Sequence, residues 1–189
     1  MSHINADEPG QQVLILCSAN IVRSPMAVGL LRRRLTEMGR QDVRVVSAGL
    51  EARVGDAPDS EATRVLHDLG VDLSEHRSRA VSREELASSD LVLTMTEAQR
   101  GTVEHLVPGL VTRTFTVLEL SRLLEADDNL YANIAGLATG AHQARPLTVP
   151  RTSTEDVRDP HGRPIGHYRR TAGQLEAAID RIAAHMAPL

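Results

Sequence analysis

Lysine and tryptophan are absent from this 189-residue chain, so all 21 of its permanently basic side chains are arginine. That usage reads as compositional bias rather than as function. Cysteine occurs once, at Cys17, which excludes an internal disulfide framework and a cysteine-based zinc site. The aromatics are Phe115, Tyr131 and Tyr168 and no others. A formal net charge of −4 gives no electrostatic case for a nucleic-acid partner. No apolar run approaches the length of a membrane span, so no membrane association is expected. The polar start from Met1 to Gln12 lacks the apolar core of a signal peptide. The expectation is therefore a cytoplasmic protein of one domain, 1–189, with a real core and a flexible segment over 1–11.

One stretch organises what is present. Val13-Leu14-Ile15-Leu16 is a short apolar run that reads as a buried strand, and it ends at Cys17. Six residues after that cysteine, Arg23-Ser24-Pro25 leads into Met26-Ala27-Val28, which reads as a helix start capped by Ser24 with proline in the first turn. A short loop between a strand and a helix N-terminus turns several backbone N–H groups into one concavity, and the helix dipole adds positive potential. The loop amides of Ser18, Ala19, Asn20, Ile21, Val22, Arg23 and Ser24 thus form a candidate phosphate cradle. The planar fork of Arg23 suits two phosphate oxygens, and Cys17 in that field would act as a thiolate nucleophile. A cysteine with an arginine at a fixed offset is weak by itself, because about one residue in nine here is arginine. A buried, inert Cys17 is the bland alternative. The joint arrival of strand, loop, Arg-Ser-Pro and helix favours chemistry.

Along the chain, helical spacing covers Pro25–Met38, with Gly39 as its stop, then Ser60–Leu69 with Asp59 as cap and Gly70 as stop. Arg32-Arg33-Arg34 falls on the first of these helices and reads as a solvated face rather than an anionic docking patch. Val43–Gly49, Leu91–Met95 and Val111–Phe115 read as further strands. Further helices are expected from Ser82, which opens a capping-box pattern, and over Glu97–Leu106, Leu118–Leu124 and Ile165–Met186. The alternation predicts an α/β fold of three layers, a four-stranded parallel sheet with helices on both faces and ligands at the strand C-terminal ends. Residues 127–157, rich in Ala, Gly, Thr and Pro, are expected to be an irregular excursion.

Cys17-x-x-Asn20-x-x-Arg23-Ser24-Pro25 after an apolar strand resembles the low-molecular-weight protein tyrosine phosphatases of bacterial type. Val46-Ser47-Ala48-Gly49, Val54–Asp59, His76–Arg79 and Asp90–Met95 follow in the family's order. Asp159-Pro160 is similar to the family's late Asp-Pro, and the resemblance implies that Asp159 is the general acid. It also implies that Asn20 and His76 support the loop, that no metal or cofactor is used, and that inorganic phosphate is the product. The implied partner is a phosphotyrosine protein, such as a bacterial tyrosine kinase tied to exopolysaccharide export. Three departures from the pattern stand out: Ala19 replaces a usual glycine, Val22 a common second cysteine, and Ala52 and His161 the aromatic groove walls. Two other readings stand beside a phosphatase. One is an arsenate reductase, which with a single cysteine would need an external thiol. The other is a non-catalytic phosphate-binding protein on the same scaffold.

Overall fold

The computed structural model describes residues 11–147 and 155–186. Strands β1 (Gln11–Cys17), β2 (Val43–Gly49), β3 (Leu91–Thr94) and β4 (Thr114–Thr116) form one parallel sheet in the order β2-β1-β3-β4. β1 is central, with Cys17 opposite Gly49 of β2 and Leu16 opposite Thr94 of β3. Its side chains alternate between two cores, as a pleated strand requires. Val13, Ile15 and Cys17 face one cluster, shared with α1 (Arg23–Glu37), α2 (Ser60–Asp68), α5 (Val117–Glu125), α6 (Ile134–Ala144) and α7 (Ile165–Ala184). Leu14 and Leu16 face the other, with Leu86 of α3 (Arg83–Ser88) and Val103 of α4 (Glu97–Leu106). Helices therefore cover both faces, and each wholly buried Leu or Ile contributes roughly 1.5–3 kcal/mol. Parallel pairing throughout brings every strand C-terminus to one rim, where Cys17 stands.

Five expectations need correction or restriction. Gln11 already belongs to β1, and the rest of the segment expected to be flexible lies outside the described residues. Val111–Phe115 is not a strand: Pro108–Arg113 is a 3₁₀ turn and pairing starts only at Thr114. Proline at its first position favours that turn, and Val111 remains 41% exposed.

The supposed excursion 127–157 contains helix α6, followed by a 3₁₀ turn at Arg145–Leu147; residues 148–154 lie outside the described part. Asn133 caps α6 by accepting a bond from the Gly136 N–H at 2.7 Å. Ile134, Leu137, Ala138 and Ala141 make its buried stripe. Gly140 leaves room for the Tyr131 ring, since a Cβ there would lie 2.1 Å from its hydroxyl oxygen and the ring would have to shift.

The three arginines of α1 do face solvent, Arg32 exposed and Arg33 and Arg34 part-exposed, but none of them hangs free. Arg32 donates twice to the Val45 carbonyl (3.0 and 2.6 Å), Arg33 bonds Leu69 O and Glu176, and Arg34 pairs with Glu37 and Asp180. They tie α1 to β2, to the end of α2 and to α7. Finally, Ser24 does not cap α1, which begins at Arg23 with no side-chain cap. Its hydroxyl is used by the loop instead.

A buried carboxylate joins three helices near the β4 edge. Glu119 of α5 pairs with Arg100 of α4 at 2.7 Å and with Arg145 at 2.8 Å, and it closes a capping box with Thr116. Burial pushes this carboxyl up, but Arg145 and Arg100 outweigh burial and hold it below its ordinary value. The Arg145 guanidinium also lies 4.3 Å over the Phe115 ring.

Candidate active site

The loop from Cys17 to Ser24 is fixed from three directions. The turn after β2 pins its first residues: Leu50 N–H donates to Cys17 O (3.0 Å) and Glu51 N–H to Ser18 O (2.9 Å). At the other end Asp59 N–H donates to Ile21 O at 2.9 Å. From behind, the His76 Nε2–H donates to Asn20 O at 2.7 Å.

Asn20 makes the bend. Its φ of +57° is the only positive value at a non-glycine residue among those described, a conformation that Asn tolerates better than most side chains. Its wholly buried amide is fully bonded. Nδ2 donates to Ser24 Oγ and Ser47 Oγ, both at 2.9 Å, and Oδ1 accepts from Arg79 N at 3.0 Å. Because Ser24 Oγ already accepts from Asn20, its own hydrogen is free to point at Cys17 Sγ, 3.1 Å away. The Asn20 N–H lies 3.3 Å from the same sulfur. Two donors thus converge on Cys17, which suits a sulfur that works as an anion. Gln99 Nε2 holds the Ser18 hydroxyl at 3.1 Å.

Arg23 is buried, its side chain 6% exposed. Its Nη2 donates to Asp159 Oδ2 at 2.5 Å and its Nη1 to the Val157 carbonyl at 3.2 Å. Its Nε–H is buried with no partner. An orphaned buried donor of this kind calls for an acceptor that arrives with a ligand. Cys17, Ala19, Ile21, Val22, Arg23, Asp159 and His161 line one small pocket of about 100 Å³. The structure therefore gathers Cys17, the loop, Arg23 and Asp159 around a single concavity, although Asp159 lies 136 residues from Arg23 in sequence. Ala19 is exposed on the pocket rim, so its Cβ meets no obstacle. His76 is no loose surface residue. Burial, and then Arg32, Arg77 and Arg79 nearby, press its pKa below the ordinary 6.5 despite the bond to Asn20 O, so the ring is a neutral donor.

Sequence reasoning found Asp59 only as a helix cap. It does cap α2, accepting from Glu61 N (2.9 Å) and Ala62 N (3.2 Å). Its second oxygen accepts from the Tyr168 hydroxyl at 3.1 Å and contacts His161 Nδ1 at 3.0 Å. Burial and the Asp59 charge push the Tyr168 phenol up, so it stays a donor. One aspartate therefore ties the loop through its backbone N–H, and α2, α7 and the segment after Asp159 through its carboxylate. The signal in sequence was an aspartate at a helix start, which named one of these tasks and concealed the others. Tyr168 and Gln99 were missed altogether, because a buried hydroxyl or amide on a helix carries no pattern.

Comparison with known proteins agrees with this geometry. The sequence model of the low molecular weight phosphotyrosine protein phosphatases matches residues 12–127. A probable low molecular weight protein-tyrosine-phosphatase, EpsP, of Ralstonia nicotianae is 35% identical over 115 residues, which is 61% of this chain and 76% of the relative. A protein-arginine-phosphatase of Geobacillus stearothermophilus is 28% identical over 172 residues, 91% of this chain and 93% of the relative. Among solved structures, the low molecular weight protein tyrosine phosphatase of T. tengcongensis superposes with a TM-score of 0.73 at 28% identity, covering 93% of this chain and 99% of that one. With strand order, loop and pocket in place, the match over more than half the chain is decisive: this chain belongs to the low molecular weight phosphotyrosine protein phosphatase family.

Proposed function

We propose that this chain, as a single domain, hydrolyses phosphotyrosine in proteins through a phosphocysteine on Cys17. The observation that carries the reading is the one pocket that holds Cys17, the orphaned Arg23 Nε–H and Asp159 together. The dianion seats on the amides of Ser18 to Ser24, and Arg23 turns its fork from Asp159 to the phosphate oxygens. Cys17 Sγ attacks phosphorus in line; the S–P bond forms as the P–O bond to the leaving group breaks, and Asp159 gives that oxygen its proton. Asp159 then takes a proton from the water that attacks phosphorus, and the S–P bond breaks to release inorganic phosphate and the sulfur anion. Fixed donors around the equatorial oxygens stabilise the shifting charge without reorganisation. The protein partner is a tyrosine-phosphorylated protein, a bacterial tyrosine kinase among the candidates, met in the cytoplasm. Among the described residues no helix is long and apolar enough to cross a membrane.

The arginine phosphatase relative, which spans most of the chain, supports a second substrate, phosphoarginine. Phosphotyrosine fits better. The pocket wall offers Ile21, Val22 and Ala19 to a ring, and it holds a single carboxylate, Asp159, which the mechanism already uses on the leaving atom. A buried guanidinium would find too few acceptors. Arsenate reduction is disfavoured, since the relatives named above are phosphatases.

The test is a series of aryl and alkyl phosphates with leaving groups of rising pKa, with phosphotyrosine and phosphoarginine peptides beside them. Cys17→Ser should fall below about one percent of wild-type turnover while still binding phosphate or vanadate. Asp159→Asn should lose most on poor leaving groups and least on activated aryl phosphates, because only a poor leaving group needs the proton. Equal losses across the series would make Asp159 structural, and faster turnover of phosphoarginine would exchange the substrate.

A further inference from the structure

A second cleft, of about 560 Å³, opens beside the phosphate pocket and shares Asp159 with it. One wall is the segment carrying Asp156 and Arg158. The other is a single face of α7, where His167, Arg170 and Gln174 follow helical spacing.

The charges along this cleft are unbalanced. Arg158 and Arg170 are exposed, and neither guanidinium has a hydrogen-bond or carboxylate partner among the described residues. The same holds for Arg163 and Arg169 on the adjoining turn and helix. Many arginines elsewhere are engaged: Arg33, Arg34, Arg79, Arg100, Arg122 and Arg145 each pair with a carboxylate, and others, such as Arg32 and Arg113, bond carbonyls. In a protein of net charge −4, four arginines without a partner among the described residues thus gather on one rim, while Arg44 on β2 stands apart from them. Of the acids that line the cleft, Asp159 is held by Arg23, and Asp156 accepts the Glu97 N–H at 2.8 Å.

We propose that this cleft is a docking subsite for acidic side chains that flank the phosphorylated residue, so that the preferred substrate is a phosphotyrosine within an acidic segment. The proposal rests on the phosphotyrosine reading above. Because the cleft and the pocket share Asp159, a peptide whose phosphate sits on the Cys17 loop leaves the pocket directly into it. Ala52 and His161 provide no aromatic clasp for the tyrosyl ring, so contacts to the flanks decide between substrates. An arginine fork reads a carboxylate in two-point fashion, which fixes the direction of the segment as well as its charge.

The experiment measures kcat/KM for phosphotyrosine peptides that carry three Glu, or three Gln, on the N-terminal or the C-terminal side. Wild type should favour Glu over Gln about five-fold on one side at low ionic strength, a size in keeping with two exposed charge pairs. That ratio should shrink toward one in roughly 0.5 M salt. It should also collapse in the double variant Arg158→Gln/Arg170→Gln and persist in Arg44→Gln, an exposed arginine on edge strand β2. A ratio of one on both sides in wild type, or a ratio undiminished in the double variant, overturns the cleft proposal alone. Failure to hydrolyse any phosphotyrosine peptide, Gln-flanked ones included, would overturn the phosphotyrosine reading and the cleft with it.

Discussion

At the scale of single residues, the phosphate loop depends on side chains that never touch a substrate. His76 is one: its neutral ring gives Nε2–H to Asn20 O and thereby holds the left-handed bend. Its pKa is depressed in the fold, so the unfolded chain binds the proton more readily. The stabilising effect of the neutral ring is therefore fully present above the unfolded value near 6.5 and fades as pH falls toward the lower folded value. His76→Gln keeps a donor but does not titrate. Wild type should exceed this variant in thermal midpoint at pH 8, and the gap should narrow or reverse by about pH 5. A gap independent of pH would show that His76 acts by packing alone.

At the scale of elements, the site is where two strand ends approach within backbone contact. A Cβ on Gly49 would lie 2.4 Å from Ser18 O, 2.8 Å from Ala52 Cβ and 3.1 Å from Asn20 N. None of these is the far end of a flexible side chain. Gly49→Ala should push the Cys17 loop aside and lower kcat by on the order of 10²-fold, as misplacement by about 1 Å does. Its fluorescence or calorimetric midpoint should fall as well. Near-normal turnover would mean that the β2 turn, not the loop, yields.

Strands β1 and β3 were legible because a parallel strand covered on both faces is a nearly unbroken apolar run, and β2 because its valines run into a glycine turn. The edge strand β4 was misplaced. Its three residues are too few to outvote the β-branched stretch before them, which Pro108 turns into a 3₁₀ helix. α6 was missed although Ile134, Leu137, Ala138 and Ala141 have the right spacing; small residues on a stripe give little contrast against a background rich in Ala and Gly. In the site, Cys17, Arg23 and Asp159 were readable as a family pattern, while the Asp59–Tyr168–His161 contacts join positions about a hundred residues apart and leave no local trace.

At the scale of the whole molecule, the pocket thiol has no second cysteine to turn to. Peroxide that oxidises Cys17 to the sulfenic acid leaves a species that only an external thiol or a backbone nitrogen traps; further peroxide carries it to the irreversible sulfinic acid. Prolonged exposure without small thiols should inactivate the protein in a way that dithiothreitol barely reverses, and bound phosphate should protect. Activity after timed exposure and reduction, with intact-protein mass, reads this directly. Full recovery would reveal an internal trap other than a disulfide. The Arg23–Asp159 pair has a different consequence. If Arg23 and Asp159 act as proposed, the guanidinium that the phosphate needs is the one that holds the acid, so capture of an oxyanion and release of the acid are two sides of one exchange of partners. A substrate offers the freed carboxyl its leaving-group oxygen, and a bare phosphate offers its fourth oxygen in the same place. The exchange therefore answers to any tetrahedral oxyanion seated on the loop, and product can hold the acid free as substrate does.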